Sequence, residues 1–155
     1  MADYLIREHP EWTVFSPARF GLAGDLAGMS AWQYARFCRQ FERATTGEIL
    51  RHDPRHCVVL ANDISEGPHF AGLQDYRIVS IWHVDVVEYF TKFYLRGLVR
   101  PETAAKLFPW PGLVFRKQRD CVRHSARIVV PSTPMREMIL RCYPWCEAGK
   151  IEVLP

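Results

Sequence analysis

Four short segments, 57–61, 77–82, 127–130 and 150–154, concentrate Val and Ile, and each is followed by a polar or turn-forming residue. The first three are near-continuous apolar runs rather than alternating ones, which is the pattern of parallel strands covered on both faces. A fifth candidate, 12–15, is shorter. Between these runs the apolar spacing changes to a helical period. Tyr34, Phe37, Cys38 and Phe41 share one face of a helix predicted over 30–52, with Gly47 a point of interruption. A second amphipathic helix is predicted over 112–125, with Val114, Cys121, Val122 and Ser125 facing inward. A third begins at Ser132-Thr133-Pro134, a hydroxyl cap followed by proline in the first turn, and carries the stripe Met135, Met138, Ile139 and Cys142. Alternation of strand and helix predicts an α/β fold, a Rossmann-like open, mostly parallel sheet with helices on both faces.

The chain of 155 residues fits a single domain over 1–155, and no internal repeat or linker divides it. At that size one core hides roughly 70% of the surface the unfolded chain exposes, so no disulfide or metal is required for stability. Residues 20–29, with three glycines, read as a loop, 101–108 as a short helix and 2–9 as a helical stretch.

Lys and Arg number 20 against 17 Asp and Glu, a net charge of +3. So small an excess argues against a nucleic-acid groove or a membrane-surface helix. The local exception is 116–127, where Arg116, Lys117, Arg119, Arg123 and Arg127 face Asp120 alone. That run suits phosphate or anionic headgroups, although a solvated helix face is the plainer reading. Five scattered cysteines and the lack of a secretory leader predict a reduced, cytoplasmic setting. Cys142 and Cys146 have no second pair to complete a tetrahedral metal site, so no metal is expected. No apolar run is long enough to span a bilayer.

In an open parallel sheet, ligands bind beyond the carboxyl ends of the strands. Those ends carry Ser16, Asn62 and Asp63, His83 and Asp85, and Ser132 and Thr133. His83, at the lip of a buried strand, is placed to exchange a hydrogen bond with a sugar hydroxyl or to carry a proton, or else to satisfy a loop carbonyl. Asp63 serves a ligand or caps a following helix, and Glu66 binds a hydroxyl or complements the dipole of that helix. Asp85 with His83 lacks a third metal ligand. Nucleophile-elbow, phosphate-loop and dinucleotide fingerprints are absent from the sequence.

The run Leu60-Ala61-Asn62-Asp63, the strand Ile78-Val79-Ser80-Ile81-Trp82-His83, and Ser125-Ala126-Arg127-Ile128-Val129-Val130-Pro131-Ser132 occur in an order and spacing that resembles family 4 retaining glycosyltransferases of the GT-B fold. Lys150-Ile151-Glu152-Val153-Leu154-Pro155 is similar to the last strand of their N-terminal domain. The resemblance implies the acceptor-side half of an enzyme that moves a sugar from a nucleotide-sugar to a sugar or lipid-linked acceptor hydroxyl with retention. It implies no cofactor or metal. His83 would lie near the transferring sugar, and Asn62, Asp63, Asp85 and Ser132 would line the acceptor cleft. Peripheral attachment at the inner membrane surface would be compatible with such a role.

The family's first strand and glycine-rich loop, and its donor domain with a Glu-x7-Glu signature, have no counterpart within 1–155. The resemblance therefore implies a chain truncated at both ends and inactive in isolation. The competing expectation is a non-catalytic Rossmann-like binding module whose sheet edge pairs with a separate subunit. A sugar-nucleotide epimerase half would need acidic residues placed for proton abstraction.

Overall fold

The computed structural model describes residues 7–22, 28–93, 95–107 and 112–154. Strands β1 (Val58–Ala61), β2 (Arg77–Ile81), β3 (Arg127–Val130) and β4 (Ile151–Val153) form one sheet in the order β1-β2-β3-β4, with every neighbouring pair parallel. Helices α1 (Ala31–Ile49), α2 (Val86–Phe93), α3 (Pro101–Leu107), α4 (Gly112–His124) and α5 (Thr133–Cys142) accompany it. The α/β class with an open parallel sheet is therefore the observed one, consistent with half of a Rossmann-like fold.

Local signals account for most of these elements. Ser30 opens α1 with a reciprocal cap, its hydroxyl accepting from Gln33 N and the Gln33 side chain accepting from Ser30 N. The helix runs through Gly47 without a break, because packing outweighs the roughly 1 kcal/mol a helical glycine costs. Helix α2 was not expected from the sequence. Its signal is Asp85-x-x-Glu88, a cap sequence ahead of an apolar run, and Asp85 Oδ1 does accept from Glu88 N at 2.8 Å. Residues 12–15 form no strand. Proline brackets the segment at Pro10 and Pro17, the Arg19 guanidinium takes the Val14 carbonyl, and Phe15 packs against the core. The helical stretch over 2–9 lies outside the described residues except for 7–9, as do 23–27 of the loop at 20–29 and Phe108 of the short helix.

Strand order decides how the sheet is covered. Crossovers between parallel strands are right-handed, so a sheet whose order never reverses carries all its crossovers on one face. Val59, Ala61, Ile78, Ile128, Val130 and Ile151 point to that face. They meet Phe70 and Leu73 from the first crossover, Cys121 and Val122 of α4, and Met138, Ile139 and Cys142 of α5 in one core. Each fully buried aliphatic or aromatic side chain contributes about 1.5–3 kcal/mol. On the other face Val58 and Leu60 are 60% and 44% exposed, and Val79, Ile81 and Val129 are half-buried. Among the described residues the expected helices on both faces are thus helices on one. A near-continuous run of Val and Ile could not reveal this, because coverage depends on strand order rather than on the strand itself.

Candidate functional site

The carboxyl ends of β1 and β2 meet at Asn62 and His83. The two side chains, 21 residues apart in sequence, are joined by a 3.2 Å contact between His83 Nε2 and Asn62 Oδ1. An amide oxygen only accepts, so Nε2 carries the hydrogen and donates. In the neutral ring, which is exposed, Nδ1 is then left as an acceptor. The pair rests on a rigid base: Trp82, fully buried beside His83, donates from its indole N–H to Ser80 Oγ at 3.2 Å, and Trp82 N continues the ladder to Val129 O.

The loop after β1 is held from below by an unexpected residue. Lys117, read from the sequence as part of a basic run, is buried in α4. Its ammonium donates to Ser65 O at 3.0 Å and Gly67 O at 2.6 Å, and pairs with Glu42 Oε2 of α1 at 2.9 Å. Gly67 is required there, because a Cβ would come within 2.7 Å of Asp63 O and 2.9 Å of the Phe70 ring. Asp63, exposed, accepts from Ser65 N at 2.8 Å and so caps a turn; the helix expected to follow it is absent. Glu66 accepts from the Tyr34 hydroxyl of α1 at 3.3 Å. Burial, reinforced by the nearby Asp63 charge, holds the Glu66 carboxyl above its ordinary range. Tyr34 was legible only as part of an apolar stripe; its hydroxyl contact depends on tertiary placement.

The remaining expected residues separate. Ser132 lies two residues past the end of β3 and caps α5, its hydroxyl accepting from Met135 N at 3.4 Å. Continuing the β2–β3 register places His83 opposite Pro131, next to Ser132. Ser132 therefore stays on the same edge as the Asn62–His83 pair. Asp85 does not stand on the rim. It is buried, its carboxylate accepts from Glu88 N and from Gln118 Nε2 at 3.4 and 3.3 Å, and Gln118 Oε1 accepts from Val86 N at 3.0 Å. Burial raises its pKa, the bonds from Glu88 and Gln118 opposing that rise.

Two further arginines of the basic run are engaged locally, while Arg116 stays exposed. Arg123 lies 5.2 Å over the Trp145 ring, and Arg127 pairs with Glu152 at 3.2 Å. Cys142 and Cys146 are free and buried, and burial pushes the Cys142 thiol up to about 12. Among the described residues no three His, Cys, Asp or Glu side chains are grouped to hold a metal ion, and no helix is long and apolar enough to cross a membrane. The chemistry on offer is therefore an exposed amide–imidazole pair with the exposed Asp63 carboxylate next in sequence and the Ser132 hydroxyl on the same edge, a set suited to hydroxyl-rich ligands. The chain matches no protein-family model, no curated protein and no solved structure.

Proposed function

We propose that the chain is the acceptor-side domain of a retaining glycosyltransferase, with a nucleotide-sugar donor bound mainly by a second domain. The observation that carries this reading is the Asn62–His83 contact at the carboxyl edge of a parallel sheet, with Ser132 on the same edge. Asn62 holds the imidazole so that Nδ1 accepts from a sugar hydroxyl, while Asp63 and Ser132 offer further polar groups. In retaining transfer the leaving phosphate can take the acceptor proton, so His83 serves here as a positioning and binding group rather than a general base.

Calorimetric titration tests the reading. The 155-residue chain should bind simple sugar acceptors weakly, lose that binding in His83→Ala and Asn62→Ala, and show neither transfer nor tight nucleotide-sugar binding alone. Micromolar nucleotide-sugar affinity, or acceptor binding indifferent to both substitutions, would count against it.

One observation favours a second reading. The sheet order has no reversal among the described residues, and one face leaves Val58 and Leu60 bare. A non-catalytic module that docks its sheet onto another chain would use such a face. It predicts a stable complex whose formation depends on Val58 and Leu60 and not on His83.

A further inference from the structure

The outer face of α1 carries a feature that net charge conceals. At about 100° per residue, Trp32, Arg36, Arg39, Arg43, Gly47 and the capping Leu50 fall within an arc of about 80°. Trp32 is 74% and Leu50 56% exposed, so the stripe has an aromatic side chain at one end, an aliphatic one at the other, and three guanidiniums between them.

Among the described residues none of these arginines has a carboxylate partner; Arg39 lies 5.5 Å over the Trp32 ring. The acids of the same helix are turned aside and occupied, Glu42 by Lys117 at 2.9 Å and Glu48 by Arg51 at 2.7 Å. A shallow groove of about 370 Å³ opens beside the stripe between Arg43, Gly47, Leu50 and His69, with Glu42 also on its wall. The whole chain's excess equals this one stripe: without its three arginines, 17 basic residues face 17 acidic ones.

We infer that this face of α1 docks on an anionic phospholipid surface. Charge complementarity supplies the attraction, about 1 kcal/mol for each arginine near an anionic leaflet, equivalent to roughly fivefold per residue. Exposed Trp32 and Leu50 favour a bilayer over a nucleic acid, because both side chains gain by entering the interfacial layer. The Tyr34–Glu66 bond puts the Trp32 end of α1 beside the loop that carries Asn62 and Asp63. The inference stands on the stripe alone and holds whether or not the chain serves sugar transfer.

Flotation of the full chain with phosphatidylcholine vesicles, with and without phosphatidylglycerol, tests it. Binding should require phosphatidylglycerol, weaken with added salt, and shift tryptophan emission to the blue in the parent but much less in Trp32→Phe. The triple variant R36Q/R39Q/R43Q should lose about a hundredfold in partitioning. The variant R77Q/R100Q/R116Q, which removes the same charge from exposed positions elsewhere, should keep most of it. Matched circular dichroism spectra establish that both variants fold. Equal loss in the two triples, indifference to anionic lipid, or tighter salt-dependent binding to a nucleic-acid duplex than to vesicles would overturn the inference.

Discussion

Substituting Lys117 by methionine should be the most damaging single change outside the aliphatic core. The ammonium is almost wholly buried and makes three contacts, to Glu42, Ser65 O and Gly67 O. Methionine fills much of the same volume, so packing is largely kept and the loss is electrostatic. Removing one member of a buried pair leaves the other charge uncompensated and costs about 3–5 kcal/mol. Here Glu42 retains some access to water and the two carbonyls can partly rehydrate, which points to the lower end, about 3 kcal/mol. For a chain of this length each kcal/mol lowers Tm by roughly 2–4 °C, so a fall of about 6–12 °C is expected.

Urea denaturation followed by circular dichroism reads this directly. The double variant Glu42→Met with Lys117→Met should recover at least half of the loss, because it removes the stranded carboxylate. A Lys117→Met protein within about 1 kcal/mol of the parent, or no recovery in the double variant, would refute the argument that this ion pair ties α1 and α4 to the loop after β1.

Other expectations are more local. Burial raises the pKa of Asp85, so the folded state holds that proton more tightly than the unfolded chain. The stability this provides is complete below the unfolded pKa of about 3.9 and is lost as pH rises through the folded value. Asp85→Asn keeps an acceptor for Glu88 N and lacks that loss, so denaturation across a pH series should show the variant gaining on the parent from acid toward neutrality; a flat difference would contradict this. Gly67→Ala should destabilise by about 1–3 kcal/mol through the clash with Asp63 O and Phe70, measured as a lower Tm. Ser132→Ala should cost about 1 kcal/mol as a lost cap on α5, read from the urea midpoint.

The strands were legible because Val and Ile runs between helical stripes leave few alternatives; 77–82 and 150–154 differ from the observed β2 and β4 only at their ends. The cap at Ser132 was legible for the same local reason. Coverage of one face was not, since it follows from strand order. Of the site, Asn62 and His83 were reachable from the rule that strand ends gather ligand-binding groups, whereas the burial of Asp85 was not. An aspartate before an apolar run has the same signature whether it faces solvent or caps a helix beneath a glutamine. The charge run at 116–127 misled in the opposite direction. Lys117 points inward and Arg123 and Arg127 are engaged locally, while the three arginines of α1 stand apart in sequence and line up only on the helix.

The most direct test of the account is nuclear magnetic resonance of the His83 imidazole during titration with simple saccharides. The account predicts that Nε2 carries the hydrogen in the free protein, that the ring signals move as sugar is added, and that Asn62→Ala abolishes the first feature and weakens the second. A ring protonated instead at Nδ1, or signals that stay fixed while residues on the bare sheet face respond, would contradict it.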